Sequence, residues 1–171
     1  GVPLMLQIFI IYYVPGLVFD KPIFSNVDRY FLVNFGMQDA GRILAVLIAF
    51  TINYACYFSE IYRGGIESIS KGQYEAGQVL GMTKTQTFFH VVLLQVVKRI
   101  VPPMGNEIIT LVKDTSLVYI LGLGDLLRQG KIYANSLSSL TPFLVVGILY
   151  FIVITIISKG CEKIEQKFSY F

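Results

Sequence analysis

The chain has 171 residues, 54% hydrophobic and 15% charged, with a mean hydropathy of +0.64 and a formal net charge of +3. Soluble domains carry about 25% charged residues, so this composition belongs to an integral membrane protein. No Lys/Arg cluster is dense enough for a nucleic-acid footprint, which excludes nucleic acid as the expected partner.

A spanning helix needs about 20 mostly apolar residues. The chain opens "GVPLMLQIFI", with no initiator methionine and no basic stretch before the apolar run. It is therefore unlike a signal peptide, and it reads as a sequence that starts in mid-protein with a segment missing before it. The first span is expected at 2–19, ending near Pro15-Gly16, with Tyr12 and Tyr13 suited to an interface. A charge-balanced aromatic segment follows, in which Asp20, Asp28 and Asp39 offset Lys21, Arg29 and Arg42. The second span is expected at 43–62 and the third at 96–121, with Pro102 and Pro103 near the start of the latter. A Gly- and Ser-bearing connector leads to the last and cleanest span, 140–158. Lys159, Lys163 and Lys167 follow in the tail. The expected fold is an all-α polytopic membrane protein, one transmembrane domain over 1–171.

Lys/Arg bias sets orientation. The basic tail is expected in the cytoplasm, so the connector after the third span lies outside. The loop at about 63–95 then lies inside, in agreement with Arg63, Lys71 and Lys84. Cys56 and Cys161 read as small buried hydrophobes. His90 has no companion at metal spacing, so no metal site is expected.

The polar loop is the least ordinary part of the chain. Ser70 with Gln73, and Thr83 with Gln86, fit capping boxes, and Gly81 fits a helix end. The loop therefore predicts a helix of two to three turns, a break at Gly81-Met82, and a second helix re-entering the bilayer. Glu75 is expected in the first turn of the first helix, where a carboxylate suits the dipole.

Within this loop, "EAGQVLG" followed by "VVLLQ" resembles the EAA loop of ABC-importer permeases. The family pattern is Glu-Ala-Ala, three residues, Gly, nine residues, then Ile-x-Leu-Pro. The match holds at Glu75, Ala76, Gly81 and Leu93; it departs at Gly77, Val91 and Leu94. The flanks "SEIYRGGIESISKGQYEAG" and "PPMGNEIITLVKDTSLVYILGLGDLL" are similar to the polar amino-acid uptake branch, as is "GVPLMLQIFIIYYVPG".

The resemblance covers nearly the whole chain. It implies a type I ABC-importer transmembrane domain of the MetI-like fold, lacking its first N-terminal helix through truncation or as one segment of a larger fused chain. It also implies a coupling helix, formed by Glu75, Ala76, Gly77, Val79, Leu80, Gly81 and Met82, that docks in a groove of a cytoplasmic ABC ATPase subunit. Implied with it are a second permease copy or sister permease, an extracytoplasmic solute-binding protein or domain, and a bacterial cytoplasmic (inner) membrane location. ATP and Mg would be bound by the partner and not by this chain. Proline in place of Leu94 would cut the re-entering helix; leucine lets it run on.

The third span carries Asn106, Glu107, Thr110, Lys113 and Asp114 within an arc of about 120°. A charge at mid-bilayer costs roughly 2.5–3.5 kcal/mol, so it faces a cavity or a partner. One reading is a network that only joins helices. The other is a wall of a substrate pathway, with both charge signs to suit a zwitterion such as a polar amino acid. Thr51, Asn53 and Gln7 read as interhelical hydrogen-bonding groups.

No Walker-A motif is legible: Gly124 and Gly130 are one position too far apart, and Ile132 follows Lys131. The chain is accordingly expected to be no enzyme. An ion-coupled secondary carrier would also explain charges within spans, but it gives no reason for the loop. A permease for another small solute and a non-transporting scaffold are further alternatives.

Overall fold

The computed structural model describes residues 2–169, and side chains through Phe168. Among these residues there are helices and turns and no strand. In chain order the helices are α1 (Leu4–Leu17), α2 (Ile23–Phe35), α3 (Ala40–Glu67), α4 (Lys71–Val79), α5 (Lys84–Thr87), α6 (Leu93–Asp114), α7 (Leu126–Leu137) and α8 (Thr141–Ser169). A π-helical stretch, Phe88–Val92, joins α5 to α6, and a 3-10 stretch, Thr115–Leu121, follows α6.

Three helical runs are long and apolar enough to cross a membrane: Ala40–Glu67, Lys84–Leu121 and Thr141–Phe168. Each extends past the span expected from hydropathy, because helix formation continues through the polar residues that flank an apolar run. The helix within 2–19 is shorter. Its 14 residues give a length of about 21 Å, against a hydrocarbon core of about 30 Å. Pro15 lies inside α1 and the helix ends two residues later, at Leu17.

The chain forms two compact units. One comprises residues up to Ala55 together with Asp114–Leu149. Here α2 rests on the start of α3: the Asp28 carboxylate accepts from the Gly41 and Arg42 backbone N–H groups at 2.7 and 3.4 Å. This caps from a distance the helix N-terminus, whose first N–H groups have no intrahelical partner. Arg42 also pairs with Asp39. These charges line a cavity of about 400 Å³ with Tyr12, Arg29, Leu32 and Gln38. Later in the chain, Asp125 caps α7 by accepting from the Leu127 and Arg128 N–H groups.

The other unit comprises Cys56–Lys113 and the residues from Tyr150 onward. Its core is Ile69, Val92, Val96 and Ile100, with Ile61, Tyr74, Phe88 and Met104 packed against it. These positions recur at helical spacing along the π-helical stretch and α6, so one face of that rod is apolar. Pro102 and Pro103 lie inside α6 without breaking it.

Candidate functional site

Helix α4 is built as a short capped lever. Its C-terminus closes in a Schellman arrangement: the Met82 N–H donates to the Gly77 carbonyl and the Gly81 N–H to the Gln78 carbonyl, both at 2.9 Å. Gly81 takes φ +74°, a left-handed conformation that residues with a Cβ adopt at a cost. The expected break at Gly81-Met82 is therefore present, with its hydrogen bonds resolved.

The second capping box forms as the sequence predicts. The Gln86 N–H donates to Thr83 Oγ1 at 3.3 Å, and the Thr83 N–H to Gln86 Oε1 at 2.9 Å. The first does not form. Ser70 is the N-cap residue, but its side chain accepts nothing from α4. The Gln73 side chain turns away and accepts instead from Gln95 Nε2 at 3.1 Å, tying α4 to α6. Glu75 is the fifth residue of α4, so it lies beyond the first turn and outside strong influence of the helix dipole.

Gly77 is where α4 meets the next helix. A Cβ at Gly77 would lie 2.4 Å from Thr87 Oγ1 and 2.6 Å from Thr87 Cγ2. Thr87 is almost fully buried, and its hydroxyl donates to the Thr83 carbonyl at 3.1 Å. The departure from alanine at position 77 thus has a physical reason: the backbone of α4 sits directly on a β-branched side chain. Around this contact the loop presents its other face outward. Val79 and Leu80 are 88% and 77% exposed, while Glu75, Ala76 and Gly81 are exposed and Met82 is half-buried.

From Thr83 the chain runs as one helical rod to Leu121, and Leu94 lies in α6 with no bend of the proline type. The π-helical stretch at Phe88–Val92 interrupts the regular α pattern near its start, and the 3-10 stretch Thr115–Leu121 ends it. Arg99 donates to the Ser68 carbonyl just past the end of α3. Thr87 and Gln95 were not singled out from the sequence, and Gln73 was read there only as a capping partner of Ser70. Of the two that were missed, Thr87 carries a local signal, its spacing of four from the capping Thr83.

The polar residues Asn106, Glu107, Thr110, Lys113 and Asp114 all fall within α6, and Thr110 Oγ1 donates back to the Asn106 carbonyl at 3.0 Å. Asp114 is the last residue of α6, and its Oδ2 accepts from the Tyr54 hydroxyl at 2.8 Å. Tyr54 is buried on α3 and was likewise not singled out; its neighbour Asn53 was.

Comparison with known proteins decides what kind of molecule carries this loop. Residues 1–168 match the family described as binding-protein-dependent transport system inner membrane component. The chain belongs to this family. It is 33% identical over 170 residues to the probable amino-acid permease protein YxeN of Bacillus subtilis (strain 168), covering 99% of this chain and 69% of YxeN. It is 30% identical over 168 residues to the glutamine transport system permease protein GlnP of Escherichia coli (strain K12), covering 98% of this chain and 69% of GlnP. A solved structure, the crystal structure of an amino acid ABC transporter with histidines, matches with a TM-score of 0.75 and 30% identity over 98% of this chain and 70% of that one.

The permease family bears out both the resemblance read from the loop and its flanks and the all-α membrane fold. It also makes the chain a transport component of the inner membrane.

Proposed function

We propose that the chain is the membrane-spanning permease subunit of an ATP-driven importer that moves a polar amino acid by alternating access. The carrying observation is the α4 lever: a short helix closed by a Schellman motif, with Val79 and Leu80 exposed at its tip and Gly77 seated on Thr87. Exposed apolar residues on a short rigid helix suit helix-in-groove recognition. Glu75, Ala76, Gly77, Val79, Leu80, Gly81 and Met82 form the docking element for a separate ABC ATPase subunit, which holds ATP and Mg.

Force on α4 passes through the Gly77–Thr87 contact into the continuous α5–α6 rod. The same rod carries Asn106, Glu107, Thr110, Lys113 and Asp114, the face we assign to the substrate pathway. Closure of the ATPase thereby biases a two-state rearrangement of the permease. The amino-acid class is supported by similarity to YxeN and GlnP, and by the mixed charge of the α6 face. A binding protein or domain delivers substrate from outside, and a second permease copy or sister permease completes the pathway. In this topology four spans cross the membrane, the 63–95 loop is cytoplasmic and so is the C-terminus.

Co-purification tests the docking. The ATPase subunit should be retained by the wild-type permease and lost from the Val79→Asp, Leu80→Asp double variant, with membrane insertion unchanged. Full retention by the double variant would overturn the assignment.

A further inference from the structure

We propose that Tyr54 is a positioning residue for substrate recognition, acting through Asp114. This deepens the pathway reading of α6 and rests on it. Asp114 stands where α6 gives way to the 3-10 stretch beginning at Thr115, so the backbone around it is at a change of helical pitch. Its carboxylate has two side-chain torsions to fix. The Tyr54 hydroxyl fixes them from α3 by donating to Oδ2 at 2.8 Å.

Tyr54 is itself held: it is buried, and its ring stacks on Phe50 with centroids 6.1 Å apart and planes 23° from parallel. A phenol is a neutral donor. It orients a carboxylate without cancelling its charge, as an arginine or lysine in the same place would. Tyr54 engages the carboxylate through Oδ2, and the other oxygen, Oδ1, is the one assigned to an ammonium group. The ligand class is an amino acid presenting its α-ammonium, or a basic side chain, to Asp114.

The test uses the assembled transporter in proteoliposomes, with its ATPase subunit, its binding protein and enclosed ATP. Radiolabelled arginine, glutamine and histidine serve as probes. Tyr54→Phe removes one oxygen and keeps the ring. It should raise KM for uptake by about tenfold, the scale of a hydrogen bond to a charged group, while ATP turnover and thermal midpoint stay near wild type. In an Asp114→Asn background the same change should alter KM less than about twofold, because interacting sites are non-additive.

A Tyr54→Phe variant with unchanged KM, beside an Asp114→Asn variant with raised KM, overturns the positioning role and leaves the pathway reading standing. Unchanged KM in Asp114→Asn overturns both. If Tyr54→Phe fails to accumulate, Tyr54→Met supplies the comparison, since it fills the site without a hydroxyl. A raised KM that Asp114→Asn abolishes supports the proposal, and an unchanged KM contradicts it.

Discussion

At Gly81 the backbone sits at φ +74° with open space around the α-carbon. Sterics therefore oppose substitution through conformation and not through crowding. A β-branched residue in the left-handed region costs about 1–2 kcal/mol, whereas asparagine tolerates it. Gly81→Val should lose most ATP-driven uptake, and Gly81→Asn should keep most of it; equal losses would point to a need for smallness, not for backbone freedom. This residue was legible in the sequence, as was the Thr83 box, because caps are local and their spacing is fixed. The Ser70 box was misread for a reason equally physical. Gln73 finds a partner in Gln95, 22 residues on, and no local pattern announces a competitor at that distance. The hydrogen bond between Tyr54 and Asp114, 60 residues apart, escaped for the same cause, although Asp114 itself was read as part of the polar face.

At the scale of the element, the proposed coupling requires α4 to stay seated on α5. A valine at position 77 would place its branches within Thr87. Overpacking of this kind costs about 1–3 kcal/mol, and here it would be relieved by lifting α4. Gly77→Val should therefore leave ATP hydrolysis running while amino-acid uptake falls, read as the ratio of ATP hydrolysed to amino acid transported. Preserved coupling would contradict the seating. Thr83→Ala removes the capping box and costs about 1 kcal/mol of helix stability. Helix α5 continues into a long rod, so uptake should drop modestly, and a complete loss would mean that Thr83 does more than cap.

Hydropathy revealed the long helices, since an apolar run of membrane length has few other solutions. It underestimated where they end. The π-helical stretch at Phe88–Val92 left no composition signal at all, because the pattern of apolar residues passes through it unbroken.

For the whole molecule, the proposed cytoplasmic C-terminus rests on the basic residues Lys159, Lys163 and Lys167 in the second half of α8 and on the positive-inside rule. A lone cysteine at Lys167→Cys, with Cys56 and Cys161 replaced by serine, should react with an impermeant maleimide only after the membrane is opened in intact cells. Labelling of unopened cells would invert the topology. The proposed orientation would also place the 63–95 loop on the side where ATP is available, so the topology and coupling proposals stand or fall together.

The most direct measurement of the central claim is uptake of labelled amino acid into proteoliposomes that hold the assembled transporter, with ionophores collapsing every ion gradient. Uptake should persist under ionophores, require ATP on the side of the α4 loop, and disappear in the Val79→Asp, Leu80→Asp variant. Uptake driven by an ion gradient without ATP would contradict it.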